Sequence, residues 1–325
     1  MKNILITGGA GYVGAALVPY LLNKDYKITV LDLMIYGETL SQHPNLNLIK
    51  GDIRDENLLN KIIKHIDIVI HLACISNDPS FELNPELSKD INLYSFIPLV
   101  EISKKNNVKK FIYASSASVY GLKNEQNVHE EISLEPLSDY SRFKADCEKI
   151  LLKNKSDNFI TVVLRPATVC GYSPRQRLDL VVNILTNLAY HKREITVLGG
   201  EQLRPNIHIQ DMIRAYELFI EIEDQKINGE IFNIGFENKT VNELAINVKK
   251  LIGEDVKIIR SVSNDNRSYH ISSDKISKLL GFKPKFTISD AISDLKNAFE
   301  NKLLTDTLNN ENFYNIKKMK NINLT

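Results

Sequence analysis

Cysteine and net charge are both scarce in this chain, and each shortage excludes a class of protein. Among 325 residues there are three cysteines, Cys74, Cys147 and Cys170, at spacings that suit neither a metal site nor a disulfide framework. No metal is expected, and a reducing, cytoplasmic location is. Lys and Arg number 41 against 40 Asp and Glu, a formal charge of +1. With no basic patch interleaved with aromatics, that balance excludes a general attraction to nucleic acid. The longest apolar runs are too short to cross a bilayer, so no membrane partner is expected. An apolar run begins almost at Met1 and leaves no room for a signal peptide. No internal repeat is visible.

What is present is a hydrophobic content of 43%, enough for a large core. Strand-like and helix-like stretches alternate to about residue 165. That pattern predicts an α/β fold, a doubly wound parallel (Rossmann-type) sheet with a smaller mixed α/β lobe. Residues 1–170 are expected to form the dinucleotide-binding domain and 171–300 mainly the substrate lobe. Short strands are expected near 196–198, 206–209, 230–233 and 256–259, with 206–209 and 231–234 candidates to return to the main body. Residues 301–325 read as a polar tail, frayed or mobile.

The run Asn3–Thr7 leads into T-G-G-A-G-Y-V-G at 7–14, followed by a helical apolar pattern. Strand, glycine turn and helix in that order suit a dinucleotide pyrophosphate. Gly8 permits the turn, Gly11 lets backbone approach the ligand and Gly14 permits close packing, with Tyr12 and Val13 between them. The helix N-terminus adds N–H groups and the positive end of its dipole. Pro19 inside that helix predicts a kink. A second strand ends at Asp32, placed to bind adenosine ribose hydroxyls. No Arg or Lys stands beside it, which favours NAD over NADP.

Tyr140 and Lys144 in Y-S-R-F-K are four residues apart. On a helix capped by Ser138 or Asp139 they share a face, and an ammonium beside a phenol lowers its pKa towards working pH. Such a phenolate is a general base for a hydroxyl. Upstream, K-K-F-I-Y-A-S-S-A-S-V-Y-G at 109–121 reads as a strand and a hydroxyl-rich turn.

Together these motifs resemble the extended short-chain dehydrogenase/reductase family, specifically its nucleotide-sugar epimerases and dehydratases, over about residues 1–300. The resemblance implies that Ser116 hydrogen-bonds the hydroxyl that Tyr140 deprotonates, while Lys144 binds the nicotinamide ribose. It places Asp52 and Ile53 of G-D-I-R-D beside adenine, and Leu72, Ala73 and Cys74 of H-L-A-C along the cofactor. Pro166 and Thr168 would stand near the nicotinamide carboxamide and Asn92 near the active site, although for His71, Asn92 and Cys74 a purely structural role competes. For the substrate it implies Arg177, Arg204 and Arg267 as diphosphate or ribose ligands, with Arg175 an alternative to Arg177 and Asn183 a diphosphate contact. Guanidinium forks suit phosphate. The long stretch Cys74–Pro85 adds Ser76, Asn77 and Asp78 as candidates for the hexose pocket. A homodimer through a helix within 86–106 and the one beginning near Tyr140 is also implied.

The implied chemistry is NAD-dependent oxidation at C4 of a nucleotide sugar. A 4,6-dehydratase of the family would carry Thr-Asp-Glu before V-Y-G, and a decarboxylating relative a Glu at 118; here the residues are Ser116, Ala117 and Ser118. A 4-epimerase is expected ahead of a 4-dehydrogenase, an alternative that the runs 177–186 and 265–284 bring in through their similarity to GDP-heptose 4-dehydrogenases. From a different class, a non-catalytic dinucleotide-binding protein would have no need of Ser116, Tyr140 and Lys144.

Overall fold

The apolar runs assemble into a parallel sheet. The computed structural model describes residues 1–325 except 124, 126, 263–267, 269, 323 and 325. Its strands are β1 (Asn3–Thr7), β2 (Lys27–Asp32), β3 (Leu46–Lys50), β4 (Ile68–His71), β5 (Lys110–Ala114), β6 (Ile160–Pro166), β7 (Thr168–Cys170), β8 (Glu194–Leu198), β9 (Leu203–His208), β10 (Glu230–Ile234), β11 (Glu237–Thr240) and β12 (Lys257–Ser261). Among the described residues the main sheet has seven strands in the order β10-β6-β5-β4-β1-β2-β3, all paired in parallel. Strand order reverses between β1 and β4, which opens a crevice at their carboxyl ends where ligands of such sheets bind.

Helices α1 (Gly14–Leu22), α2 (Glu56–Ile62), α3 (Asp78–Phe81), α4 (Pro85–Lys89), α5 (Phe96–Lys105), α6 (Asp139–Lys153), α7 (Val181–Lys192), α8 (Ile209–Glu221), α9 (Val241–Ile252), α10 (Asp274–Leu280), α11 (Ile288–Glu300) and α12 (Asn315–Asn321) complete the fold. Side chains alternate across each strand, so both faces of the sheet are apolar. Ile4 and Ile6 meet α1 and α8 through Leu17, Leu21, Met212 and Phe219 on one face. Leu5 joins Leu59, Leu99 and Cys147, from α2, α5 and α6, on the other. Among the described residues no helix is long and apolar enough to cross a membrane. The ring of Pro19 sits on the exposed face of α1. Helical bonding continues past it, from the Asn23 N–H to the Pro19 carbonyl.

After β6, α7 and α9 pack on each other through Val182, Leu185, Leu244 and Val248 in a separate cluster. Of the two segments expected to return, β10 does so as the edge strand beside β6. The other, β9, instead pairs with β7 and β11 in a separate small sheet. The C-terminal segment also departs from expectation. Leu304 and Thr307 are buried, the Leu178 N–H donates to the Phe313 carbonyl, and α12 packs against α3. A polar composition hid this because scattered apolar residues, Leu304, Phe313, Tyr314 and Met319, pack on the core without forming a periodic stripe, and backbone and amide hydrogen bonds do the rest.

Candidate active site

The crevice at the strand reversal is a cleft of about 730 Å³. Gly8, Gly11, Tyr12, Val13 and Gly14 form one wall. Gly8 has φ +73°, and a Cβ there would lie 2.6 Å from the backbone N of Ala73 at the end of β4. Only glycine allows β1 to turn this close beside β4. At Gly14 a Cβ would come within 2.5 Å of Gly9, so the close packing expected of Gly14 is against the turn itself. No side chain caps α1 at Val13, which leaves its positive end directed at the cleft.

Asp32 closes the turn from β2. Its Oδ2 accepts the Ala10 N–H at 2.9 Å and its Oδ1 the Met34 N–H at 2.7 Å. Burial leaves its pKa raised, an effect that those two N–H groups offset only in part. Leu72, Ala73, Cys74, Ile53, Pro166 and Thr168 continue the lining. Asp52 does not share it: its carboxylate pairs with Arg54 at 2.7 Å. Burial works against ionisation there, but Arg54 holds the group below the usual carboxylate range.

Helix α6 delivers the tyrosine and the lysine. Ser138 caps it, with Ser141 closing the reciprocal bond of a capping box, which fixes the first turn that carries half-buried Tyr140. Lys144 is 5% exposed. Its ammonium donates to the Ala114 carbonyl at 2.7 Å and lies 5.9 Å from the centre of the Tyr140 ring. Ser116 begins the short helix after β5, and its Oγ accepts from the Ser118 N–H at 3.1 Å and the Ser118 hydroxyl at 2.9 Å. Tyr140, Lys144, Ser116 and Ser118 all line the cleft that the glycine turn lines.

Most of the sequence that builds this cleft matches a known family. The model of the NAD dependent epimerase/dehydratase family covers residues 4–235. The chain belongs to this family. It is 28% identical over 313 residues to the UDP-glucose 4-epimerase of Lactobacillus helveticus, covering 90% of this chain and 95% of that one. It is 30% identical over 315 residues to the dTDP-D-glucose 4,6-dehydratase of Mus musculus, covering 90% and 86%. Among solved structures, UDP-glucose 4-epimerase from Thermotoga maritima with UDP-glucose has a TM-score of 0.84 at 27% identity, covering 93% of this chain and 100% of that one.

Within the family fold, the residues expected at the substrate end divide. Ser76, Asn77, Asp78, Arg177 and Arg204 line the cleft. The stretch 74–85 is more ordered than a loop, because Asn77 and Asn84 cap α3 and α4. Asn77 sits at φ +74°, a region asparagine tolerates, and Ser138 donates to the Asp78 carboxylate. Asn183 is a correction: fully buried, it holds the Gly171 N–H, the Tyr12 hydroxyl and the Arg177 carbonyl. It braces the wall instead of facing the cleft. Arg267 lies outside the described residues. Asn92 is likewise structural, since both its amide atoms bond Ile75 backbone. His71 is buried against Thr7 at 2.7 Å; burial first, then the Lys144 charge, lowers its pKa to about 3, so it stays neutral.

Arg175, the alternative to Arg177 in the sequence, lines the cleft together with it, its guanidinium 3.6 Å from the centre of the Tyr36 ring. Tyr36 and Glu148 went unnoticed in the sequence. Tyr36 follows Asp32 by four residues, so the aromatic next to the ribose position was the available signal. Behind Lys144, one turn along α6, Glu148 forms a buried pair with Arg165 at 2.7 Å and accepts from Ser115. Among the described residues no group of His, Cys, Asp and Glu is arranged to hold a metal.

Proposed function

We propose that this protein is an NAD-dependent nucleotide-sugar 4-epimerase. The observation that carries the reading is the meeting of Ser116, Tyr140 and Lys144 with the glycine turn in one cleft. The fit of NAD rests on Gly8, whose missing side chain leaves room only for backbone, on the uncapped N-terminus of α1 and on Asp32. Ile53, Leu72 to Cys74, Pro166 and Thr168 complete that cofactor wall in the proposal. Bound NAD supplies an acceptor, then a donor, of the hydride at sugar C4.

Tyr140 takes the C4 hydroxyl proton onto its phenolate oxygen as the C–H pair leaves, and returns it when the hydride comes back to the opposite face. Lys144, fixed by the Ala114 carbonyl, keeps a positive charge beside that phenolate. Ser116 holds the hydroxyl in line. Elimination needs further acid and base groups at the turn after β5; that turn has Ser116, Ala117 and Ser118, whose two hydroxyls bond each other. Ser76, Asn77, Asp78, Arg177 and Arg204 contact the nucleotide sugar in this reading. A homodimer through α5 and α6 belongs to the same proposal: Ile97 on α5 and Tyr94 just before it are exposed, whereas Phe96 and Leu99 are core. Light scattering at the mass of two chains tests it. Cytoplasmic supply of activated sugars for polysaccharide assembly fits such an activity.

The test is native mass spectrometry of the purified protein, then incubation with UDP-, GDP-, CDP- and dTDP-sugars followed at 340 nm and by product NMR. Retained NAD, a C4-inverted sugar and no net NADH are expected. Accumulating NADH with a 4-keto sugar would make it a dehydrogenase. No cofactor and no turnover with any donor would overturn the enzymatic reading.

A further inference from the structure

Two buried guanidinium nitrogens, Nε of Arg175 and Nη2 of Arg177, have no hydrogen-bond partner among the described residues. Buried donors are nearly always satisfied, and an orphaned one costs stability unless a ligand supplies its acceptor. Both arginines line the cleft. The segment that carries them is fastened to the glycine turn, through Ser173 Oγ to the Tyr12 carbonyl and the Tyr12 hydroxyl to the Gly171 carbonyl, each 2.7 Å. Two cationic forks beside a turn built for phosphate call for an anion.

What aims them is a residue from the far end of the chain. Asn315, 3% exposed at the start of α12, also lines the cleft. Its Oδ1 accepts from Arg175 Nη2 at 2.7 Å, and its Nδ2 donates to Ser76 Oγ at 2.8 Å. Its backbone N–H donates to Asp179 Oδ2 at 2.9 Å. The other oxygen of Asp179 accepts from Arg177 Nε at 2.9 Å, and Arg177 Nη1 reaches Ser76 at 3.3 Å. One amide and one peptide N–H therefore tie both arginines and the loop after β4 into a single frame. Arg177 has Asp179 as its ion-pair partner. Arg175 has only the neutral amide and the Tyr36 ring at these contacts, so its charge is left for a ligand.

We propose that Asn315 is a positioning residue: it holds Arg175 and Arg177 with their free donors turned to a diphosphate, so that the C-terminal segment completes the binding site. The proposal rests on the nucleotide-sugar reading for the source of that diphosphate, because the cofactor carries the same group.

Isothermal titration of the full-length protein with UDP, GDP, CDP and dTDP, and with NAD after retained cofactor has been stripped, distinguishes the sources. Asn315→Ala should weaken the accepted nucleoside diphosphate roughly 10- to 100-fold, the range for losing a charged hydrogen bond. With the matching sugar, KM should rise and kcat change by less than about three-fold. Asn315→Asp keeps an acceptor on Arg175 and should hold the melting temperature within about 2 °C. Its carboxylate neutralises Arg175, however, so binding should fall at least as far as in the alanine variant. A purely structural role predicts the reverse, binding restored along with stability. Loss confined to NAD would assign the diphosphate to the cofactor and keep the positioning role. Unchanged affinity for both ligands in the two variants would overturn it. If wild type binds none of the four nucleotides, the nucleotide-sugar reading fails, while the NAD titration still decides the role of Asn315.

Discussion

Glu148→Gln replaces one buried charge by a neutral side chain of the same shape. Arg165 grips Glu148 with both arms, Nε to Oε1 at 3.0 Å and Nη2 to Oε2 at 2.7 Å. Each side chain is only 3% exposed. Removing one partner strands the other as an uncompensated buried charge, at about 3–5 kcal/mol. Arg165 retains the Tyr120 hydroxyl at 2.8 Å and the Glu130 carbonyl at 3.3 Å, so the lower end of that range is expected. At about 2.1 cal/mol/K per residue, a chain of this size unfolds with an entropy of about 0.7 kcal/mol/K. The melting temperature should therefore fall by about 4–5 °C. Activity should fall too, because Glu148 is one turn along α6 from Lys144 and holds the hydroxyl of Ser115, next to Ser116. Differential scanning fluorimetry with retained NAD controlled gives the first quantity and initial rates the second. The double variant Glu148→Leu/Arg165→Met should melt higher than the single one, since it leaves no stranded charge. A single variant within about 1 °C of wild type, or a double variant that melts lower than the single, would refute the reasoning.

Tyr140→Phe removes the proposed proton acceptor and should lower kcat by about 10²- to 10⁴-fold, with NAD retention by mass spectrometry unchanged. Gly8→Ala forces a side chain 2.6 Å from Ala73 backbone at positive φ; the purified variant should emerge without cofactor and with a lowered melting temperature. His71 binds no proton in the folded state until the pH nears about 3, whereas the unfolded chain protonates it near 6.5. Stability is thus whole above about pH 6.5 and drains as pH falls towards 3, by about 2 kcal/mol at pH 5. In urea titrations His71→Gln should flatten that slope, and an unchanged slope would exclude His71 as its source.

How much of this was legible depended on how far apart in the chain the cooperating residues lie. The turn at Gly8–Gly14 and the pair Tyr140/Lys144 could be read because each is closed within one local element: a strand–turn–helix, and one turn of a helix. Glu148 was within reach of the same reading, since it continues the Tyr140–Lys144 spacing by another four residues along α6. Its partner Arg165 lies on β6, and only the sheet brings them together. Asn183 was misread for a related reason. Its position beside the cleft segment was right, but a polar residue there has two ways to satisfy its amide, a ligand or the backbone of the wall, and Gly171 and Arg177 take it. Asn315 was beyond reach altogether. Its partners Ser76, Arg175 and Asp179 come from two distant segments, and nothing in a polar tail of asparagines and lysines marks one amide as buried. Apolar periodicity reports what a regular element packs against; it is silent about single buried amides in a segment whose apolar anchors, such as Leu304 and Met319, are scattered. On the proposed reading Ser116, Tyr140 and Lys144, held by the turn after β5 and by α6, fix the reaction at C4, while the affinity for the diphosphate is set by a frame that Asn315 closes.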